Sequence, residues 1–170
     1  MSDDDLERFT LSFGPFGHDP YIAPIKGRDH IIAVKRMADE TSPIFAETWH
    51  SDWSFQEIPP AGTCLFGITI PPTGGDTLFA NQQKALDDMP AELRAKCEGK
   101  RAIHSAALGY SKGGLYGEND VEDRSMDILH SDEALSTHTH DLIRIHPETG
   151  REAIYNSAAY VIGFEDMPPE

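Results

Sequence analysis

The sequence predicts a mainly β chain carrying short helices. Three observations point that way. Cys64, Phe66, Ile68 and Ile70 alternate at period two along 62–70, the spacing of a half-buried strand. Residues 140–145 and 151–156 flank His146-Pro147-Glu148-Thr149-Gly150 as the two arms of a hairpin. Helical patterning is confined to two stretches, 3–12 and 82–98.

Taken in order, Asp3, Asp4 and Asp5 open the first helix, where acids complement the helix dipole and Leu6, Phe9 and Phe13 recur at helical spacing. Phe13 to Gly27 reads as loop, punctuated by Gly14, Pro15, Gly17, Pro20 and Pro24. Ile31, Ile32 and Val34 mark a strand over 30–36, and a second β pattern covers 48–55 around Trp49, His50, Asp52 and Phe55. Pro59-Pro60 ends that segment. After the 62–70 strand, Pro71-Pro72-Thr73-Gly74-Gly75 forms a turn into a short strand at Thr77–Ala80. Within 82–98, Pro90 suits a helix start and Gly99 a position just past a helix end. A further strand runs from Arg101 to Ala107. Residues 109–138 are Gly-rich and polar, a stretch long enough to be a lid or a binding segment. Met167-Pro168-Pro169-Glu170 reads as the opening of a helix, so the sequence is expected to continue.

At 170 residues the chain has the size of one domain and can bury roughly 70% of its unfolded surface. With 39% hydrophobic and 25% charged residues it is no candidate for wholesale disorder. No apolar run approaches the ~20 residues of a membrane span, and the acidic start does not resemble a signal peptide. Fourteen Lys and Arg against 29 Asp and Glu give a net charge of −15. Lys35, Arg36, Lys96, Lys100 and Arg101 are scattered among acids, so no basic patch offsets repulsion from a phosphate backbone. Neither nucleic acid nor membrane is an expected partner. Cys64 and Cys97 are too few and too far apart for a disulfide framework or a thiolate zinc site, which suits a reducing, cytoplasmic compartment.

The strongest chemical candidate is His50-Ser51-Asp52. On a strand, positions i and i+2 share a face, so imidazole and carboxylate converge. A His and a carboxylate so placed, with a distant second His, make the facial triad of non-haem Fe(II) oxygenases, which leaves open positions on the metal. The tripeptide alone is weak evidence, because eight His and 16 Asp predict about one His-x-Asp by chance. His130-Ser131-Asp132 repeats it in the polar stretch, where a solvated turn or helix cap is expected.

Context separates the copies. Thr48-Trp49-His50-Ser51-Asp52-Trp53-Ser54-Phe55, then Pro59-Pro60-Ala61-Gly62, then Pro71 through Gly74-Gly75-Asp76-Thr77-Leu78, closely resembles the taurine dioxygenase (TauD/TfdA) family. His140 through Arg151 resembles that family's hairpin segment, and Leu6 to Gly14 its Phe-Gly helix end. The resemblance implies a double-stranded β-helix, a cupin-like jelly roll, and dependence on Fe(II) and 2-oxoglutarate. Such enzymes couple decarboxylation of 2-oxoglutarate, giving succinate and CO2, to hydroxylation of a small organic acid or sulfonate-like substrate by O2. Residue by residue, His50 and Asp52 match two iron ligands, and Thr77 matches the threonine that hydrogen-bonds a 2-oxoglutarate carboxylate. Gly74 and Gly75 match the turn before it. Tyr110 and Tyr160 fall near substrate-lining aromatic positions, with ordinary packing the competing reading for both.

In the family, the second iron-binding His and the arginine that pairs with 2-oxoglutarate lie downstream of the hairpin. The expectation is therefore a single TauD/TfdA-like domain over 1–170, incomplete at both ends and without that distal His and Arg. The alternative is an inactive fragment or a β-rich binding module without catalysis, whose unpaired edges predict aggregation or a homo-oligomer. A rearranged iron site would have to draw its third ligand from His104, His138, His140 or His146, for which hydrogen-bonded structural roles are the simpler reading. The same holds for His18 and His30. Ile44-Phe45-Ala46-Glu47 carries no Asn ahead of the metal motif, so taurine itself is not the expected substrate.

Overall fold

The computed structural model describes residues 1–118, 120 and 123–167. Its chain divides into two compact units, Met1–Thr48 with Pro60–Phe66 and Ala106–Ser136, and Trp49–Pro59 with Gly67–Ser105 and Thr137–Glu170. Each unit is built on its own local chemistry.

The first unit begins with α1 (Asp3–Leu11). Ser2 and Asp5 form a capping box, each side chain meeting the other's backbone N–H, which satisfies donors that a helix start leaves orphaned. Arg28 gathers the acids of this helix, reaching Asp4 at 2.5 Å and Glu7 at 2.9 Å. Farther on, Ile22 bridges Ile128, and the buried Tyr21 ring stacks on Tyr110 at 4.7 Å. Tyr110 ends the short α4 (Ala107–Tyr110).

The polar stretch after α4 is not one open loop. Its backbone folds back, Leu115 N–H onto Leu108 C=O and Tyr116 N–H onto Gly109 C=O, and a 3-10 helix follows at Asp132–Leu135. Gly117 makes this wrap feasible, since a Cβ there would lie 2.2 Å from the Lys112 carbonyl oxygen. A buried carboxylate, Glu40, accepts hydrogen bonds from the Ser125 and Ser42 hydroxyls, which hold its pKa down to about 2.

The second unit holds the sheets. Helices α2 (Gln82–Asp87) and α3 (Ala91–Cys97) begin at Asn81, whose side chain caps Lys84 N–H, and at Pro90. Strand β1 (Arg101–Ser105) lies between β2 (Thr137–Asp141) and β5 (Val161–Phe164), antiparallel to both. Strands β3 (Ile143–Ile145) and β4 (Glu152–Ile154) form the expected hairpin, closed by Gly150 at φ 67°. Cys97, Ala102 and Leu142 form the buried centre, with Met89, Ile143, Ile154, Val161 and Phe164 packed around it. No helix among the described residues is long and apolar enough to cross a membrane.

The architecture is β with short helices, but several expected strands are absent. Residues 30–36 make only the Ile32–Pro24 bridge, 48–55 form a turn, and 62–70 and 77–80 are irregular. Alternation selects a strand only where a neighbouring strand completes the ladder, and among the described residues none pairs with 62–70. Ile68 and Ile70 are accordingly 87% and 71% exposed. The expected 140–145 strand splits at Leu142, whose N–H bonds Lys100 C=O and whose C=O receives Tyr155 N–H. One side of the break serves each sheet. The helix opening expected at 167–170 extends onto residues 168–170, outside the described ones.

Candidate metal centre

His50 and Asp52 do converge, though not on a strand. Ser54 N–H bonds Ser51 C=O at 3.3 Å and Gln56 N–H bonds Trp53 C=O at 3.0 Å, so these two backbone bonds are those of a turn and not of a ladder. Trp53 sits at φ 46°, a left-handed conformation that costs a non-glycine residue on the order of 1 kcal/mol and recurs at functional sites. The bend brings His50 Nε2 to 3.0 Å from Asp52 Oδ1. Both side chains keep partial exposure, 23% and 36%.

That separation and donor set fit a hard to borderline divalent ion. One imidazole nitrogen and one carboxylate oxygen suit Fe(II), and bonds of about 2.1 Å at right angles place two donors about 3.0 Å apart. A facial triad needs three such donors, and the pair offers two of them. No group of three His, Cys, Asp or Glu able to hold a metal ion occurs among the described residues.

The surroundings of the pair are aromatic. The Tyr160 ring stands edge-on to His50 at 6.3 Å and to Phe55 at 4.9 Å. Tyr160 and Phe55 are both buried, and Tyr160 C=O receives Ser105 N–H at the end of β1. Thr77 belongs to the same unit and lies in an exposed irregular segment after Gly74 and Gly75, whose φ values of 77° and 74° shape the turn before it. Tyr110 belongs to the other unit, buried against Tyr21.

Four of the remaining histidines have structural settings. His104 is fully buried, with Nδ1 2.9 Å from the Ser54 hydroxyl, and burial beside His140 and Arg144 pushes its pKa down to about 4. His140 Nε2 donates to Gln56 C=O at 2.9 Å, and burial lowers its pKa as well. His146 Nδ1 accepts from Glu148 and Thr149 N–H in the hairpin turn, and His30 stacks on Phe16. His104 and His140 are the residues that sequence reasoning undervalued. The usable signal was their inward parity on two expected strands, but their register was not in the sequence.

Comparison with known proteins identifies the family. The sequence profile of the taurine catabolism dioxygenase TauD, TfdA family matches residues 1–170. The chain belongs to this family. Its members are Fe(II)- and 2-oxoglutarate-dependent dioxygenases. The chain is 30% identical over 156 residues to an alkylsulfatase of Acinetobacter baylyi, covering 91% of this chain and 47% of that protein. It is 32% identical over 126 residues to the alpha-ketoglutarate-dependent 2,4-dichlorophenoxyacetate dioxygenase of Cupriavidus pinatubonensis, covering 74% of this chain and 41% of the relative. In fold it resembles a taurine dioxygenase from Burkholderia xenovorans, with a TM-score of 0.61 and 24% identity over 99% of this chain and 50% of the other. The chain thus spans about half the length of the relatives it matches.

Proposed function

We propose that this chain supplies part of the metal centre of an Fe(II)/2-oxoglutarate dioxygenase, with His50 and Asp52 as two of the three protein ligands. The observation that carries this reading is the 3.0 Å approach of His50 Nε2 to Asp52 Oδ1 within a strained turn. In the longer protein this reading implies, a second His completes the triad and an arginine pairs with 2-oxoglutarate. Residues 1–170 then form one dioxygenase domain and contribute part of a double-stranded β-helix.

When bound, Fe(II) with 2-oxoglutarate and O2 supplies the oxidising power that hydroxylates the substrate and releases succinate and CO2. The chain's own groups bind and orient. Neutral His50 offers a nitrogen lone pair, and ionised Asp52 offsets part of the metal's charge. Thr77, delivered by the Gly74–Gly75 turn, donates its hydroxyl to a 2-oxoglutarate carboxylate. Tyr160 walls the substrate side and holds the His50 ring edge-on; the proximity of the two rings supports that assignment. Tyr110 is assigned to the substrate lining by resemblance alone. The substrate class is a small organic acid carrying a sulfonate, sulfate ester or phenoxy-carboxylate group. Two free cysteines fit a cytoplasmic setting.

The test is succinate formation from 2-oxoglutarate with Fe(II) and O2, across a panel of alkyl sulfates, sulfonates and phenoxyacetates. Substrate-stimulated succinate that disappears in His50→Ala and Asp52→Ala supports the reading. Turnover retained in either variant contradicts the ligand assignment.

A further inference from the structure

The turn that aims the ligand pair is held from one side by two histidines that ligate nothing. His104 and His140 lie on adjacent antiparallel strands. His104 is paired with His138 and Ala102 with His140, so the two imidazoles are diagonal neighbours on one face. Their rings meet edge-to-face at 5.1 Å, and Tyr155 completes the cluster at 5.6 Å from each. Arg144 covers the Tyr155 ring at 4.4 Å.

Each imidazole reaches one residue of the same turn. His104 Nδ1 meets the Ser54 hydroxyl and His140 Nε2 meets the Gln56 carbonyl, both at 2.9 Å. Ser54 is fully buried and lies two residues after Asp52, just past the left-handed Trp53. The β1–β5 register shifts between Ile103 and His104, an irregularity of the kind that re-aims a side chain beside a site.

His104 also carries a clue to its protonation. Its Nε2 is buried and has no hydrogen-bond partner among the described residues. A buried bare acceptor is tolerated better than a buried orphan N–H, so the proton belongs on Nδ1, donated to Ser54 Oγ. A second proton would add an unsatisfied donor and a charge beside Arg144. The ring therefore acts as a fixed, neutral strut.

We propose that His104 and His140 are positioning residues for the metal pair, clamping the Ser54–Gln56 turn so that His50 and Asp52 point at a common ion. This rests on the metal-binding reading above, and it extends it by assigning the support. Groups that orient ligands typically change metal affinity by about 10–100-fold when removed.

Trp49 and Trp53 bracket the pair and are the two tryptophans of residues 1–170, so quenching of their fluorescence reports metal bound at this turn. Co(II) serves as an air-stable, quenching stand-in for Fe(II) with similar ligand preferences. In the longer protein that carries the second His and the arginine, with 2-oxoglutarate present, Ser54→Ala and His104→Phe are expected to weaken Co(II) binding by about tenfold. His104→Asn, which keeps an N–H near the Nδ1 position, recovers most of that loss. The core control Leu142→Val lowers the thermal midpoint and leaves the Co(II) affinity unchanged. Unchanged affinity in both Ser54→Ala and His104→Phe, or an equal loss in Leu142→Val, overturns the positioning role while leaving the metal site standing. Absence of quenching in the wild type, or quenching that persists in His50→Ala, overturns the metal reading and this proposal with it.

Discussion

The chain contains the same tripeptide twice, and folds it two ways. At His50-Ser51-Asp52 the backbone turns through a left-handed Trp53 and brings imidazole and carboxylate to 3.0 Å. At His130-Ser131-Asp132 the serine instead caps a 3-10 helix, its hydroxyl oxygen accepting from Glu133 N–H, while Asp132 pairs with Lys112 at 3.2 Å on the surface. Identical side chains thus carry no geometry of their own. What differs is the support: a buried Ser54–His104 contact and a His140–Gln56 bond behind the first copy, and an exposed ion pair beside the second.

The largest separation between the copies is expected in turnover. In the longer protein, Asp52→Ala should lose substrate-stimulated succinate formation by at least about a hundredfold, because the proposed iron ligand is removed, whereas Asp132→Ala should leave it within about twofold. A comparable loss in both would erase the distinction.

The next effect is on stability against pH. His104 has an ordinary value of 6.5 and is held down to about 4, chiefly by burial and then by His140 and Arg144. Between those values the unfolded chain takes up the proton and the folded chain does not. Its contribution is therefore complete above pH 6.5 and lost as pH falls toward 4, amounting at most to on the order of 3 kcal/mol. Urea unfolding at stepped pH should show this slope in the wild type and a flatter one in His104→Phe.

Smaller effects mark the second copy. Ser131→Ala removes a cap and should cost about 0.5–1 kcal/mol in urea unfolding, with Co(II) quenching of the tryptophans unchanged. Lys112→Ala breaks an exposed ion pair and should cost no more than about 0.5 kcal/mol, and less in high salt.

What could be read from the sequence divides along physical lines. Helices α1, α2 and α3 were legible because their signals are local: three acids at a start, Pro90 at an entry, Gly99 past an exit at φ 64°. The β3–β4 hairpin was legible for the same reason, through its turn residues. The strands expected at 30–36, 62–70 and 77–80 were not observed, because a strand depends on a partner that alternation does not supply. The convergence of His50 and Asp52 was expected from strand parity, whereas a turn through Trp53 produces it, and the spacing alone does not specify that turn. The clamp by His104 and His140 depends on the Ala102–His140 register across 38 residues, which no local pattern encodes.

The most direct test of the central claim is anaerobic equilibrium dialysis of Fe(II) with 2-oxoglutarate, using the longer protein that supplies the second His and the arginine and comparing the wild type, Asp52→Ala and Asp132→Ala. The account predicts one saturable iron per chain in the wild type and in Asp132→Ala, and none in Asp52→Ala. Equal iron in all three, or none in the wild type, would contradict it.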